Sequence, residues 1–242
     1  MVRSLGKPTQ QISVFGVNVS LPNSVYDVFG HRRCRSTHSP IQDTKPVQKQ
    51  NWQNRWAGHE AFVVASGPSL TEEDVEVVRL WQSDTRHVIV TNNTFLIAPF
   101  ADVLFFHDLK WWNIYKNQVN MDAVTVSHIS NERVNVLGKP GFKAFGNSGT
   151  GAVSLAIYAG CKKIYLLGVD GKKKDGKVHW HGNHVKPLGN AMSMPKWKDH
   201  FTKVGEYAKS KGVEVINMSR DTAITCFKRQ PLEELGINHA NR

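Results

Sequence analysis

The chain has 242 residues, of which 40 % are hydrophobic and 21 % charged, enough for one large domain or two small ones around a buried core. No apolar run is long enough to span a membrane, and the N-terminus lacks the features of a secretory signal, so we expect a cytoplasmic protein with no membrane span. The formal net charge of +11 favours anionic partners such as nucleotides or nucleic acid, the alternative being a solvated basic surface.

The first 55 residues are basic and show little hydrophobic periodicity. They hold eight Lys and Arg residues against two acids, which gives this segment a net charge of +6. Such composition is typical of an extended arm, so we predict a poorly structured arm over residues 1–55 and one domain over residues 56–242. Within the arm, "ISVFGVNVSL" can form a strand or one leg of a hairpin. The charge of the arm makes nucleic acid a candidate partner.

From residue 60 onward, short apolar runs alternate with segments of helical spacing. In chain order, the predicted strands are "EAFVVAS", "HVIVTN", "ADVLFFHD", "DAVTVSH", "KKIYLLGVD" and "VEVINMS". The predicted helices are "TEEDVEVVRLWQS", "WWNIYKNQV", "GTGAVSLAIYAGC" and "PKWKDHFTKVGEYAKSKG". Strands that are apolar throughout and alternate with helices indicate a doubly wound α/β fold with a mostly parallel, Rossmann-like sheet of about six strands.

Small polar residues follow the predicted strands, where ligands bind in open parallel sheets. They are Ser66, Gly67, Pro68 and Ser69 after the first strand, Asn92 and Asn93 after the second, Asp108 after the third and Asp170 after the fifth. Because the carboxyl ends of parallel strands meet at one edge, these residues predict a binding crevice there. Either acid could activate an acceptor hydroxyl or hold a metal.

Two predicted helices begin with small residues whose free N–H groups suit an anion. The first follows "SGPSL", and the second begins at Asn147, Ser148, Gly149 and Thr150. The alternatives are an ordinary helix cap in the first case and close helix–sheet packing in the second. Neither segment matches G-x-G-x-x-G or a Walker phosphate loop, which disfavours a dehydrogenase or a standard kinase.

The loop after the fifth strand, "GVDGKKKDGKVHWHGNH", carries three closely spaced histidines, His179, His181 and His184. One of them, when neutral, could deprotonate an acceptor hydroxyl while Lys172–Lys174 and Lys177 face donor phosphates. As the alternative, His179 and His181 could bind a transition metal together with a carboxylate, Asp170 or Asp108. Because the lysines oppose a bound cation, we favour a histidine base and expect no metal, with the choice among the three histidines open.

The ordered series "GPSL", the Asn turn after the second strand, "GNSG" and "KKIYLLGVD" resembles the family 42 sialyltransferases. It also resembles the 6-hydroxymethylpterin diphosphokinase-like family, with the nearest resemblance to bacterial and phage members of this group. The resemblance covers residues 56 to about 235. If a phage encodes the chain, the expected compartment is the host cytoplasm.

The sialyltransferase resemblance implies that Gly67, Pro68 and Ser69, Asn93, and Ser148 with Gly149 surround the nucleotide of a sugar donor. It also implies a histidine base in the loop after the fifth strand and no metal. The chain lacks the tyrosine pair that those enzymes place near the leaving phosphate, which disfavours sialic acid as the donor sugar. The diphosphokinase resemblance implies ATP and Mg²⁺ as cofactors, with Asp108 and Asp170 as the carboxylates.

Three hypotheses follow from these observations. The first is a transferase that uses a nucleotide-activated donor, such as a nucleotide sugar, and moves a glycosyl group onto an acceptor, with an anionic acceptor as one candidate. The second is a Mg²⁺-dependent pyrophosphokinase. The third is a non-catalytic protein that binds nucleotide or nucleic acid through the basic arm.

Overall fold

The computed structural model describes residues 50–119, 121, 123–129, 134–137, 141–189 and 192–237, and the backbone of residues 11–14 and 17–20. The chain divides into two compact units, Met1–Lys45 and Pro46–Arg242. In the first unit, β1 (Gln11–Val14) and β2 (Val17–Ser20) form an antiparallel hairpin, which confirms the strand-forming segment predicted in the arm. The rest of residues 1–45, and with it the predicted disorder of the arm, lies outside the described residues.

The second unit is built on one eight-stranded sheet in which every pair of neighbouring strands is parallel. Its strands are β3 (Glu60–Val64), β4 (Arg86–Thr91), β5 (Val103–Phe105), β6 (Val124–Ser127), β7 (Asn135–Val136), β8 (Lys163–Leu167), β9 (Glu214–Asn217) and β10 (Lys228–Arg229). Its α-helices are α1 (Glu72–Trp81), α2 (Leu109–Tyr115), α3 (Ser148–Tyr158) and α4 (Trp197–Ser210). The six predicted strands and four predicted helices are therefore confirmed; β7 and β10 have two residues each and were not predicted.

Helices cover both faces of this sheet, because the strands are apolar on both sides. Ala61 and Val63 of β3 belong to the core that packs against α3 and α4. Phe62 between them faces the other way and makes an edge-on contact with Trp81 of α1, with ring centroids 4.8 Å apart. Trp112 of α2 stacks on Phe106, just past β5, at 4.9 Å. The fold is thus the doubly wound, Rossmann-like arrangement that the sequence predicted.

The strand order, β10-β9-β8-β3-β4-β5-β6-β7, places the first strand of the sheet in its middle. The chain proceeds outward from β3 to β7, crosses back through α3 to β8 on the other side of β3, and then continues outward to β10. The connections that leave β3 and β8 therefore diverge. Such a switch in direction opens a crevice at the carboxyl ends of the two strands, where ligands bind in this class of fold.

The domain boundary lies earlier than the sequence predicted. Trp52 and Trp56 are 3 % and 6 % exposed, belong to the α3–α4 side of the core and contact each other edge-on at 5.4 Å. The second unit begins at Pro46 rather than at residue 56. Because the residues around these tryptophans are polar, the local composition of the sequence does not indicate that the tryptophans belong to the core.

Among the described residues, no helix is both long and apolar enough to cross a membrane.

Candidate functional site

A cavity of about 530 Å³ lies at the carboxyl ends of the strands, at the switch point between β3 and β8. Most of the predicted site residues line it: Ser66, Gly67, Pro68, Asn92, Asp108, Asn147, Ser148, Gly149, Asp170, His179 and His184. Four do not, namely Ser69, Asn93, Thr150 and His181, of which the first three are buried. The volume is within the range typical of small-molecule sites.

The turn after β3 is held against the end of β8 by Asp170. The carboxylate accepts hydrogen bonds from the backbone N–H of Ser69 at 2.6 Å and from its hydroxyl at 2.8 Å. Gly67 allows this approach, since a Cβ there would lie 2.5 Å from Asp170 Oδ1 and 2.4 Å from the Gly168 carbonyl oxygen. Burial raises the pKa of Asp170 to about 6, and the hydrogen bonds from Ser69 oppose that shift. Both oxygens of Asp170 are thus engaged in shaping the turn.

The start of α3 forms the opposite wall of the cavity. Asn147 caps the helix by accepting the N–H of Thr150 at 2.9 Å, and Thr150 Oγ1 in turn accepts the N–H of Asn147 at 3.3 Å. Ser148 Oγ accepts the N–H of His107 at 3.1 Å and donates to Asn92 Oδ1 at 3.0 Å. One hydroxyl therefore ties together the ends of β4, β5 and the first turn of α3, and the first N–H groups of α3 have no acceptor within the helix.

Two other predicted residues have local partners. Asn93 is buried and accepts a hydrogen bond from the indole Nε1 of Trp111 at 2.6 Å, so its side chain faces α2 rather than the cavity. Asp108 is exposed at the cavity mouth and caps α2 by accepting the N–H of Lys110 at 2.8 Å. Asp108 is thus held in place as the cap of α2 and also belongs to the lining of the cavity.

The three loop histidines converge because two tight turns fold the loop after β8 back on itself. Lys174 and Lys177 form a bridge around Asp175 and Gly176, both of which have positive φ. A second turn closes where Gly182, at φ 90°, donates its N–H to the carbonyl of His179 at 2.9 Å. The N–H of Trp180 is bonded to the carbonyl of Ser66 at 3.1 Å, which fixes this second turn beside the end of β3.

In the resulting cluster, one ring nitrogen from each histidine lies within 4.8 Å of the others. The rings of His179 and His181 stack at 5.1 Å, and His184 is tilted against both, at 4.4 and 5.0 Å. Burial lowers the pKa of His179 to about 4, that of His181 to about 3 and that of His184 to about 4. At neutral pH all three rings are therefore uncharged imidazoles.

The lysines of this loop are not grouped at the cavity as the sequence suggested. Lys172 lines the cavity, but its ammonium group is 2.6 Å from the carboxylate of Asp221. Lys173, Lys174 and Lys177 are exposed on the first turn of the loop and do not belong to the lining. Of the four lysines that the sequence predicted to face donor phosphates, Lys172 is thus the one that lines the cavity.

The sequence also left parts of the cavity out of the predicted site. His107 lines it, packs against His128 at 4.3 Å between ring centroids, and has its pKa lowered to about 4, chiefly by burial and then by His128. The apolar wall comes from Trp111, Leu188, Trp197 and Phe201. Trp197 and Phe201 lie in the predicted helix "PKWKDHFTKVGEYAKSKG", but only the position of α4 beside α3 brings them to the cavity.

No family model and no curated protein matches this chain. Among solved structures, the chain is similar to a xylose isomerase-like TIM barrel/4-hydroxyphenylpyruvate dioxygenase fusion protein, with 10 % sequence identity and a TM-score of 0.17. The aligned part covers 71 % of this chain and 23 % of that chain, so this chain spans about a quarter of the length of that protein. A likeness of this size carries no argument about fold or function, and the fold assignment rests on the sheet topology above.

Proposed function

We propose that this protein is a transferase that binds a nucleotide-activated donor in the cavity between β3 and β8. The observation that carries the proposal is the cavity itself, which joins the turn after β3, the first turn of α3 and an apolar wall at the switch point of a parallel sheet. In this class of fold, that position is where nucleotides bind.

The two walls suit the two halves of a nucleotide. The first N–H groups of α3, at Ser148 and Gly149, together with the helix dipole favour a phosphate group. The half-buried indole of Trp197 is the aromatic group of the lining that we assign to the nucleobase, with the buried Phe201 behind it as part of the apolar wall. Asn92 and Ser66 add uncharged polar groups suited to hydroxyl groups of a sugar.

In the transfer, an acceptor oxygen forms a bond to the donor carbon while the bond from that carbon to the phosphate oxygen breaks, and the nucleoside phosphate leaves. His179 and His184 line the cavity, so a neutral imidazole there accepts the proton that the acceptor hydroxyl releases. An imidazole whose pKa lies near 4 is a weak base, and the reaction therefore relies mainly on the phosphate as a good leaving group.

The geometry favours glycosyl transfer over pyrophosphoryl transfer. A Mg²⁺-dependent reaction needs free carboxylate oxygens, since Mg²⁺ prefers oxygen ligands. Both oxygens of Asp170 accept hydrogen bonds from Ser69, and Oδ1 of Asp108 accepts the N–H of Lys110, so three of the four carboxylate oxygens of the predicted pair are already engaged. We therefore treat the pyrophosphokinase as the alternative outcome of the test.

The proposal is tested by binding and by product analysis. Nucleoside mono- and diphosphates are titrated calorimetrically into the wild type, Ser148→Asp and Ser148→Asn. An added carboxylate at the start of α3 is compatible with the helix dipole but repels a phosphate, so Ser148→Asp should weaken binding at least about tenfold more than its neutral match Ser148→Asn. Equal losses in the two variants would contradict a phosphate site at α3.

Turnover is then measured with ATP and a panel of nucleotide sugars. Release of a nucleoside phosphate together with transfer or hydrolysis of the sugar supports the proposal. Formation of AMP from ATP with transfer of pyrophosphate would establish the pyrophosphokinase instead. Binding of nucleotides without turnover of any donor would reduce the protein to a nucleotide-binding module.

A further inference from the structure

We propose that His179, His181 and His184 form a binding site for a transition-metal ion, with Zn²⁺ as the ion best suited to it. The inference rests on the cluster alone and leaves the nucleotide site of the proposed function unaffected. It replaces the proposed histidine base, however, because an imidazole bound to a metal ion has no lone pair with which to accept a proton. Three imidazoles make a recognised ligand set for zinc, in which a further coordination position stays open for water or a substrate atom.

The spacing of the three rings is close to what a metal ion requires. Tetrahedral zinc with Zn–N bonds of about 2.0–2.1 Å places its ligand nitrogens about 3.3 Å apart. The corresponding nitrogens here all lie within 4.8 Å of one another. A contraction of at most about 1.5 Å, shared among three side chains that each turn about two bonds, closes the site without moving the backbone.

Two of the three residues keep a ring nitrogen for which the described part of the chain supplies no hydrogen-bond partner. These are Nε2 of His179 and Nε2 of His181, both shielded from solvent. A buried polar atom without a partner is costly, and a bound ion is one way in which such an atom is satisfied. A metal ion bound through these two nitrogens would satisfy both at once, because each would donate its lone pair to the ion.

The charge around the cluster does not oppose a cation as strongly as the sequence suggested. Lys172 is paired with Asp221 at 2.6 Å, and Lys173, Lys174 and Lys177 are exposed to solvent on the preceding turn. Their charges are therefore screened by water and salt rather than focused on the histidines. The four lysines therefore oppose a cation at the histidines much less than the sequence predicted.

The position of the cluster connects the site to the cavity. His179 and His184 line the cavity, so an ion bound by the cluster would lie at the cavity wall. The ligands are all nitrogens, which suits Zn²⁺ and other first-row transition ions and disfavours Mg²⁺. The oxygen of a hydroxyl or a phosphate that enters the cavity is the chemical class that such an ion would take as its next ligand.

The test uses tag-free, full-length protein that has been stripped with a chelator and reloaded with Zn²⁺, with Mg²⁺ as the comparison ion. We expect one equivalent of zinc per chain by mass spectrometry of the metal content after desalting, and no retention of magnesium. His181→Ala and His184→Ala should each weaken zinc binding more than about 100-fold, since loss of a group that merely supports a ligand already costs about 10- to 100-fold. His107→Ala, which removes a half-buried histidine from the lining of the same cavity, is the matched control and should retain wild-type affinity for zinc.

A second measurement keeps the test decisive if a variant does not fold. Co²⁺ added to the stripped wild type should give the intense visible absorption of a tetrahedral site, and zinc should displace it. Wild-type protein that retains no zinc and gives no such spectrum, or alanine variants that bind zinc as the wild type does, would overturn the proposal. Nucleotide titrations of the stripped protein are separate, so failure of the metal site and failure of the nucleotide site are distinguishable.

Discussion

Asp170 shows how one side chain shapes the cavity. Its two oxygens hold the backbone and hydroxyl of Ser69, and its burial raises its pKa to about 6 from an ordinary value of 3.8. A carboxyl whose pKa is higher in the folded state favours folding while it is protonated. That contribution is complete below pH 3.8 and is lost as the pH rises to about 6.

Replacement of Asp170 by asparagine tests this interpretation. The amide keeps an acceptor for the N–H of Ser69 and offers a donor to its hydroxyl, while the buried charge is removed. We expect Asp170→Asn and the wild type to have similar free energies of unfolding near pH 4. At pH 8 the free energy of unfolding of the variant should exceed that of the wild type by about 1–3 kcal/mol, given a pKa difference of about 2. Urea unfolding at several pH values measures the difference.

The matched control for that experiment is Asp199→Asn, an exposed carboxylate on α4. Its removal should change the free energy of unfolding by less than about 0.5 kcal/mol at every pH. If Asp170→Asn is instead destabilised by a similar amount at pH 4 and at pH 8, the hydrogen bonds from Ser69 compensate for burial of the carboxylate charge. That result would contradict a raised pKa for Asp170.

At the scale of the element, α3 illustrates how small residues allow a helix to lie close to a sheet. A Cβ on Gly151 would lie 2.3 Å from Cε1 of Phe105 in β5. The close-packing alternative that the sequence raised for these glycines therefore applies to Gly151. The same closeness brings the start of α3, with Ser148 and Gly149, to the cavity.

Gly151→Ala is predicted to destabilise the protein by about 1–3 kcal/mol, the usual cost of overpacking a core. The sign is informative, because glycine to alanine inside a helix ordinarily stabilises by about 0.5–1 kcal/mol. In α4, a Cβ on Gly205 would lie 3.0 Å from Phe227, so Gly205→Ala should cost less. Thermal and urea unfolding report both changes, and a stabilised Gly151→Ala would refute the packing argument.

At the scale of the whole molecule, the charge is divided between the two units. Residues 1–45 hold six Lys and Arg residues and two acids, so their removal takes +4 from the net charge of +11 and leaves +7. The second unit has its own sheet and core, so a chain that begins at Pro46 should fold.

Deletion of residues 1–45 tests whether the arm binds nucleic acid. If it does, the full chain should bind a DNA or RNA oligonucleotide with a steep salt dependence, and deletion should lower the affinity and reduce the slope against log salt by several units. Fluorescence anisotropy at a series of salt concentrations measures both quantities. An unchanged affinity and slope would assign no nucleic-acid binding to the arm, and nucleotide binding in the cavity should be unaffected by the deletion.

Much of this fold could be predicted because the strands and helices depend on local patterns of apolar and polar residues. Fully apolar runs such as "EAFVVAS" can only be buried on both faces of a sheet, and the alternation with helices then fixes a parallel, doubly wound fold. The short strands β7 and β10 left no pattern, since two residues cannot show a period. Trp52 was missed for a related reason, because its polar neighbours outweigh a single buried ring in local composition.

The sequence by itself determined the class of fold and the edge of the sheet at which polar residues gather, because periodicity and strand ends are local properties. Only the tertiary structure decided which of those residues face the cavity. It turned Asn93 toward Trp111, tied Asp170 to Ser69, and moved three of four lysines away from the site. It also gathered three histidines into one cluster, since the distance between side chains depends on how turns and helices pack rather than on spacing along the chain.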